Sequence, residues 1–283
     1  MSALEIDKYP RTQHVEGSRA QPGDEGLEVV PLGTLRGGVL VVEEKLDGAN
    51  AGMRLDEQGT LLLQSRGHYL TGGAREKHFA LYKRWAASHS AALAALLGER
   101  YTLYGEWLYA KHTIYYDQLP HYFLEFDLLD RERSVFLDTD ARHALLAATP
   151  VVSVPVIARV DLESRPLDAA ALQALIGPSR YKSAAWRERL GYAAERSGVA
   201  SERAQRETDP RDEMEGLYLK HERDGVVIGR YKLIRESFLQ AVDQSGSHWL
   251  SRPIIENGLA EGVDIFAPPP SGTPPTPAPS EPS

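Results

Sequence analysis

The sequence predicts an α+β fold with its functional residues on a sheet. Three observations carry this. Short runs of β-branched, aliphatic and aromatic residues recur along the chain, separated by Gly- and Asp-rich turns. A single segment shows a long apolar period of three and four residues. Several apolar runs also hold one or two charged residues, which is costly unless the charge is paired or faces a ligand.

The elements follow in order. Residues 1–38 read as a polar, turn-rich N-terminal lead-in around Tyr9-Pro10-Arg11-Thr12-Gln13-His14. Residues 39–43 are a β-branched strand. Residues 50–55 and 60–64 flank a hairpin turn at 56–59. Residues 76–97 form the clearest helix, with Phe79, Tyr82, Trp85, Ala86, His89, Leu93 and Leu96 on one stripe and Gly98 as its stop. Residues 101–107 and 122–129 read as strands, and 139–148 and 167–176 as short helices. A late hairpin joins 217–221 to 226–233 around Arg223-Asp224-Gly225. The core unit spans 39–240, a short C-terminal extension covers 241–266, and 267–283 is a Pro-rich tail. That composition buries too little apolar surface to order itself, so the tail is expected to be disordered and partly polyproline II. No internal repeat is present.

The chain has 283 residues, 42% of them hydrophobic, enough for a substantial core. It has no cysteine, which excludes a disulfide scaffold, a cysteine zinc site and a cysteine nucleophile. Its 32 Lys and Arg against 40 Asp and Glu give a net charge of −8. That excludes a protein coated in basic charge, though not a local basic groove. Glu5, Asp7 and Lys8 interrupt the start of the chain where a signal peptide needs an apolar run. No stretch approaches the length of a membrane helix. A cytoplasmic protein is expected.

The sharpest feature is Glu43-Glu44-Lys45-Leu46-Asp47-Gly48-Ala49-Asn50. A lysine closes an apolar strand just before an Asp-Gly turn. At such a strand end its amine is a covalent nucleophile if its pKa falls, and a solvated turn lysine otherwise. Further charged strand segments follow: Ser65-Arg66-Gly67, Tyr104-Gly105-Glu106-Trp107, Tyr122-Phe123-Leu124-Glu125-Phe126-Asp127, Glu215-Gly216-Leu217-Tyr218-Leu219-Lys220 and Arg230-Tyr231-Lys232-Leu233-Ile234-Arg235. One such charge suggests a core ion pair. Several of both signs suggest a charged pocket floored by a sheet. Residues 180–206 hold seven Arg or Lys against three Glu, with Tyr181, Trp186 and Tyr192 between them. That stretch is either a phosphate-binding face or a solvated helix.

In order and spacing, these segments resemble the covalent nucleotidyltransferases, and most closely the ATP-dependent RNA ligases of the bacteriophage RNA ligase two type. The resemblance runs from Glu44 to about Arg235. It implies an ATP-grasp-like ligase domain with antiparallel sheets flanking an AMP pocket. Lys45 matches the lysine that attacks the ATP α-phosphate, Glu215 a carboxylate of metal binding and catalysis, and Lys232 a lysine on the AMP phosphate. Glu44 and Asn50 match neighbours framing the nucleotide, and Arg66 an arginine on ribose or phosphate. Glu106 matches the carboxylate on the ribose hydroxyls, and Phe123 the aromatic that stacks on adenine. Lys220 reaches a phosphate or lies in solvent. Where the family often has a second lysine, this chain has Ile234 followed by Arg235. Adjacent cations such as Lys232 are expected to lower the Lys45 pKa.

The resemblance implies ATP and Mg²⁺ or Mn²⁺ as cofactors. As partners it implies RNA ends, in a nicked duplex or single strand, and an RNA end-healing protein. A DNA nick ligase and a capping-type guanylyltransferase are the rival enzymes. Residues 236–266 are too few for the OB barrel those carry. A non-catalytic module binding nucleic-acid ends is the rival of another class.

Overall fold

The computed structural model describes residues 5–19, 24, 26–164, 167–244 and 252–268. The tail beyond Pro268 lies outside the described residues. Twelve strands form one hydrogen-bonded sheet. They are β1 (Gln13–Val15), β2 (Val29–Val30), β3 (Val39–Lys45), β4 (Ala49–Leu55), β5 (Leu61–Ser65), β6 (Tyr101–Trp107), β7 (Phe123–Asp130), β8 (Val135–Leu137), β9 (Val152–Ser153), β10 (Val156–Asp161), β11 (Gly216–Arg223) and β12 (Val226–Ile234). Seven α-helices are described: α1 (Ala80–Ser88), α2 (Ser90–Leu97), α3 (Thr139–Leu146), α4 (Ala169–Gln173), α5 (Trp186–Arg196), α6 (Ser201–Arg206) and α7 (Glu236–Gln244). The α+β expectation therefore stands in its coarse form. No helix among the described residues is long and apolar enough to cross a membrane.

The expectation of antiparallel sheets, in the plural, is corrected in number. The strand order is β10-β3-β11-β12-β8-β7-β6-β4-β5, so one sheet carries both halves. The short β8 is the joint. Val226 and Val227 of β12 pair with it on one side, and Leu129 and Asp130 of β7 on the other. The sheet bends there, because side chains of β11 on one arm reach β7 on the other: Lys220 Nζ lies 3.6 Å from Asp127 Oδ1. Most pairs are antiparallel, but β1–β12, β1–β2 and β7–β9 are parallel.

Alternation along each strand sorts residues between the groove inside the bend and the two outer faces. On one arm Leu40, Val42, Leu217, Leu219 and Leu233 point outward and pack with Leu172 of α4 and with Leu32 and Leu35. On the other arm, Met53, Leu103, Trp107 and Phe123 belong to the core that takes Tyr82 and Trp85 of α1 and Leu93 and Leu97 of α2. The expected single helix over 76–97 is broken into a 3-10 turn (Ala74–Phe79), α1 and α2. At the break, the Ser88 hydroxyl donates to the Trp85 carbonyl. Serine competes in this way with the helical hydrogen bonds.

Inside the bend, the N-terminal segment enters the groove. The Asp7 carbonyl accepts from Gln64 Nε2 (2.7 Å) and from the Tyr104 hydroxyl (2.9 Å). Tyr9 is buried with Tyr104 and Phe136, and its hydroxyl bonds Asp127 and the Tyr218 hydroxyl from opposite arms. Residues 252–268 return to the loop of residues 108–122, with bridges between Ala110 and Glu256 and between Leu119 and Leu259.

Candidate functional site

Lys45 ends β3 at the open end of the groove. Its Nζ is 2.7 Å from Glu215 Oε1, in the residue that leads into β11, where Gly216 pairs with Lys45. Across the bend, Glu106 of β6 pairs with Asn50 of β4, so the two share a face. Glu106 Oε1 accepts the Gly48 N–H at 3.1 Å. A Cβ on Gly48 would lie 2.7 Å from Leu108 Cδ2 and 2.9 Å from the Trp107 carbonyl oxygen. Only glycine lets the turn after Lys45 pass that close to β6. Asn50 Oδ1 is buried and has no hydrogen-bond partner, an acceptor left open inside the site.

Three carboxylates thus surround the Lys45 amine, and they set its charge. Burial alone would lower its pKa, but Glu215, Glu106 and Asp47 outweigh burial and hold it above the usual lysine value. The expectation of a pKa depressed by neighbouring cations is therefore corrected: without nucleotide, Lys45 is a firmly protonated ammonium. Glu106 is pushed up to about 8 by burial, with Lys45 opposing and Glu215 and Asp47 adding. Burial raises Asp47 as well, against the amides that hold it.

Lys232 shares the groove face. It pairs with Tyr218, which pairs with Glu43, two residues before Lys45. Its Nζ is 2.5 Å from Asp24 Oδ2, and the same oxygen is 2.9 Å from His14 Nε2. Burial lowers the Lys232 pKa, and Asp24 works against that shift. Arg66 is exposed just past β5, whose last residue Ser65 pairs with Ala51. One further step of the β4–β5 register would set it opposite Asn50.

Three sequence-predicted residues lie elsewhere. Glu44 points to the outer face, opposite Lys45. Its Oε1 accepts the Ser179 hydroxyl at 2.5 Å and its Oε2 the Arg180 N–H at 3.3 Å, and burial pushes it up to about 7 against those bonds. Phe123 is fully buried on the helix side, its ring 5.4 Å from Tyr82 and 5.5 Å from Trp85 between centroids. A Cβ on Gly105 would lie 2.6 Å from that ring, so Phe123 sits on the Gly105 side and Glu106 on the other. The structure does not bring it to Lys45. Lys220 has the right face but the wrong depth. It pairs with Val41, four residues or roughly 13 Å back along β3. It is fully buried, with Nζ 2.9 Å from Glu43, and it donates to the Phe126 carbonyl.

Sequence reasoning missed Asp24 and His14 as partners of Lys232, and Asp47 as an anchor. Asp47 Oδ2 accepts the N–H groups of Thr113 (2.7 Å) and Ile114 (2.6 Å). Its place in the Asp-Gly turn was the only signal. In the basic stretch 180–206, several charges are already engaged: Arg187 with Asp212, Arg189 with Asp117, Arg196 with Glu256 and Arg203 with Glu207. That favours a solvated helix surface over a phosphate-binding face. Arg235 is buried and bound to Asp209, so it does not stand in for a second groove lysine.

For a divalent cation, the donor set fits in kind. Glu106, Glu215 and Asp47 offer hard carboxylate oxygens, and Glu215 and Asp47 add to the burial that raises Glu106. Among the described residues no three His, Cys, Asp or Glu side chains form a ready cage. This suits an ion such as Mg²⁺, which binds through one or two carboxylates together with substrate phosphates. A groove of about 500 Å³ runs between Pro120, His143, Pro150 and Ile265 and includes none of these residues.

The raised Glu106 pKa predicts a pH-dependent stability. Between about 4.5 and about 8 the folded chain holds a proton on Glu106 that the unfolded chain has lost. Folding is therefore weakened as pH rises through that window. Glu106→Gln, which keeps an acceptor for Gly48, should stabilise the protein by about 1–3 kcal/mol at pH 8.5, discounted for partial exposure, and by almost nothing at pH 5. Urea unfolding at the two pH values checks this, and an equal effect at both would refute it.

A family model described as RNA ligase matches residues 38–234. No curated protein matches the chain. Among solved structures, a Naegleria gruberi RNA ligase with PPi is 21% identical at a TM-score of 0.52, covering 83% of this chain and 57% of that one. A point mutant of the same ligase with ATP and Mn is 19% identical at a TM-score of 0.51, covering 83% and 58%. The chain thus spans a little over half the length of those ligases, and the likeness is one of fold. The family match covers well over half of the sequence and takes in Lys45, Glu106, Glu215 and Lys232, and on that ground the chain belongs to the RNA ligase family.

Proposed function

We propose that the protein is an ATP-dependent RNA ligase that joins 5′-phosphate and 3′-hydroxyl RNA ends through a lysyl-AMP intermediate. The observation that carries this is the Lys45 ammonium at the strand end, 2.7 Å from Glu215 and faced by Glu106 across the groove. The Naegleria ligase of the same fold has been solved with ATP and Mn, which supports ATP and a divalent ion as the reactants here.

Lys45 Nζ first loses a proton, and Glu215 Oε1 is within hydrogen-bond reach to accept it. The amine then attacks the α-phosphorus of ATP. The N–P bond forms, the bond to the β-phosphate oxygen breaks, and pyrophosphate leaves in line. Next, an oxygen of an RNA 5′-phosphate attacks the same phosphorus and releases Lys45, giving a 5′–5′ linked adenylate. Finally a 3′-hydroxyl attacks the RNA 5′-phosphate and AMP departs. Glu106 and Asn50 hold the ribose, while Lys232 and Arg66 neutralise phosphate charge. Glu215 would hold Mg²⁺ or Mn²⁺ together with the phosphates, and the ion would supply charge neutralisation. Lys232 serves the phosphates only after giving up its ion pair with Asp24. The adenine platform is not assigned to Phe123, which the helix-side core occupies.

Incubation with α-labelled ATP and Mg²⁺ tests the reading. A label on the protein that survives alkali and is released by acid is expected, as for a phosphoramidate, and GTP should give far less. A protein that takes no label from ATP would sink the proposal. Sealing of nicked RNA, single-stranded RNA and nicked DNA then ranks the substrates.

A further inference from the structure

The C-terminal strap and the Lys45 turn meet through the loop of residues 108–122. Asn257 is 2% exposed and each of its polar groups is engaged. Its Oδ1 accepts the Tyr116 N–H at 2.9 Å, and its Nδ2 donates to the Leu108 carbonyl at 2.7 Å. Its own N–H donates to the Tyr109 carbonyl at 2.9 Å, and its carbonyl accepts the Tyr122 hydroxyl at 2.9 Å. Tyr116 is also fully buried, and its hydroxyl accepts the Asp47 N–H at 2.9 Å. Asp47 in turn grips the loop through the amides of Thr113 and Ile114. One side chain from the strap therefore fixes both ends of the segment that holds the turn after Lys45.

We infer that Asn257 is a positioning residue for adenylate transfer, setting the aim of Lys45 through Tyr116 and Asp47. It acts through the two ends of the loop it holds, the Leu108 carbonyl and the Tyr116 N–H. The inference rests on the lysyl-AMP reading above. Its physical basis is the sensitivity of in-line attack: nucleophile and phosphorus must meet near van der Waals contact and in line, and a displacement of about 1 Å costs on the order of 100-fold in rate. Replacing the amide removes the partners of a buried N–H and a buried carbonyl. The loop then relaxes, and the turn relaxes with it.

Rapid-quench single-turnover labelling with ATP and Mg²⁺ tests this on the full chain. Asn257→Ala should lower the rate constant for lysyl-AMP formation roughly 10- to 100-fold. The ATP concentration giving half the maximal rate should move less than about threefold, because no nucleotide contact is lost. Because the effect passes through the Tyr116 hydroxyl, the double variant Asn257→Ala/Tyr116→Phe should be no slower than Tyr116→Phe alone. A wild-type rate constant, a loss of labelled amplitude alone, or additive losses in the double variant would each overturn the inference. If Asn257→Ala does not fold, Tyr122→Phe carries the test by removing only the hydroxyl bound to the Asn257 carbonyl. It should slow the step by about threefold, and an unchanged rate overturns the inference. A wild-type chain that takes no label overturns the ligase reading itself, and the positioning role falls with it.

Discussion

Lys45→Arg should form no covalent adenylate, and Lys45→Ala none either. Arginine keeps the charge and could still pair with Glu215, but its guanidinium does not deprotonate in proteins and so offers no lone pair to phosphorus. Alanine removes the nucleophile. Loss of labelling on the order of 10⁴-fold or more is expected for both. The pair separates chemistry from folding. Arginine satisfies the three carboxylates facing position 45, whereas alanine leaves them facing one another. Lys45→Ala should therefore unfold at lower urea above pH 8, where Glu106 ionises, while Lys45→Arg tracks the wild type. Labelling of either variant at the wild-type rate would place the nucleophile elsewhere. For the wild type, the raised Lys45 pKa adds a sign: adenylation should speed up as pH rises through neutrality into the alkaline range.

Lys220→Met should cost about 3–5 kcal/mol of stability, the usual penalty for breaking a buried ion pair. Lys220 is fully buried and lies 2.9 Å from Glu43 and 3.6 Å from Asp127. Arg142, also fully buried, bonds Glu43 at 2.7 Å and Glu125 at 2.9 Å, extending the network to α3. Removing the lysine leaves Asp127 with Tyr9 and leaves Glu43 with Arg142 alone. Urea denaturation measures the loss. The fraction that stays folded should take the label with nearly unchanged ATP dependence. Full stability with weakened ATP binding would return Lys220 to the phosphates.

Much of the site was legible because of one physical rule: a charge in an apolar strand needs a partner or a ligand. That rule singled out Lys45, Glu106, Glu215 and Lys232, and the structure gathers them around one groove. Glu44 could have been sorted by the same strand logic, since neighbours in a strand point to opposite faces. Lys220 could not, because its depth depends on the β3–β11 register. Phe123 could not either, because its side follows from the β6–β7 pairing that sets it opposite Trp107. Asp24 and Asn257 are single polar residues in segments without period. Their roles exist only because the two ends of the chain return to the middle. The helix, the hairpins and the α+β class were written in local periodicity. The joint at β8, three residues long, was not.

The strap also has a consequence in time. Asn257 meets Tyr116 across 141 positions and Asp24 meets Lys232 across 208. Contacts so distant form late in folding, after shorter loops have closed. During synthesis, the Lys45 hairpin leaves the ribosome long before the residues that hold its turn. At about 5–20 residues per second, the interval lasts roughly 10 seconds or more. On the lysyl-AMP reading, a nascent chain in that interval would carry Lys45 without the contact proposed to aim it, so competence would wait until residue 257 has been made.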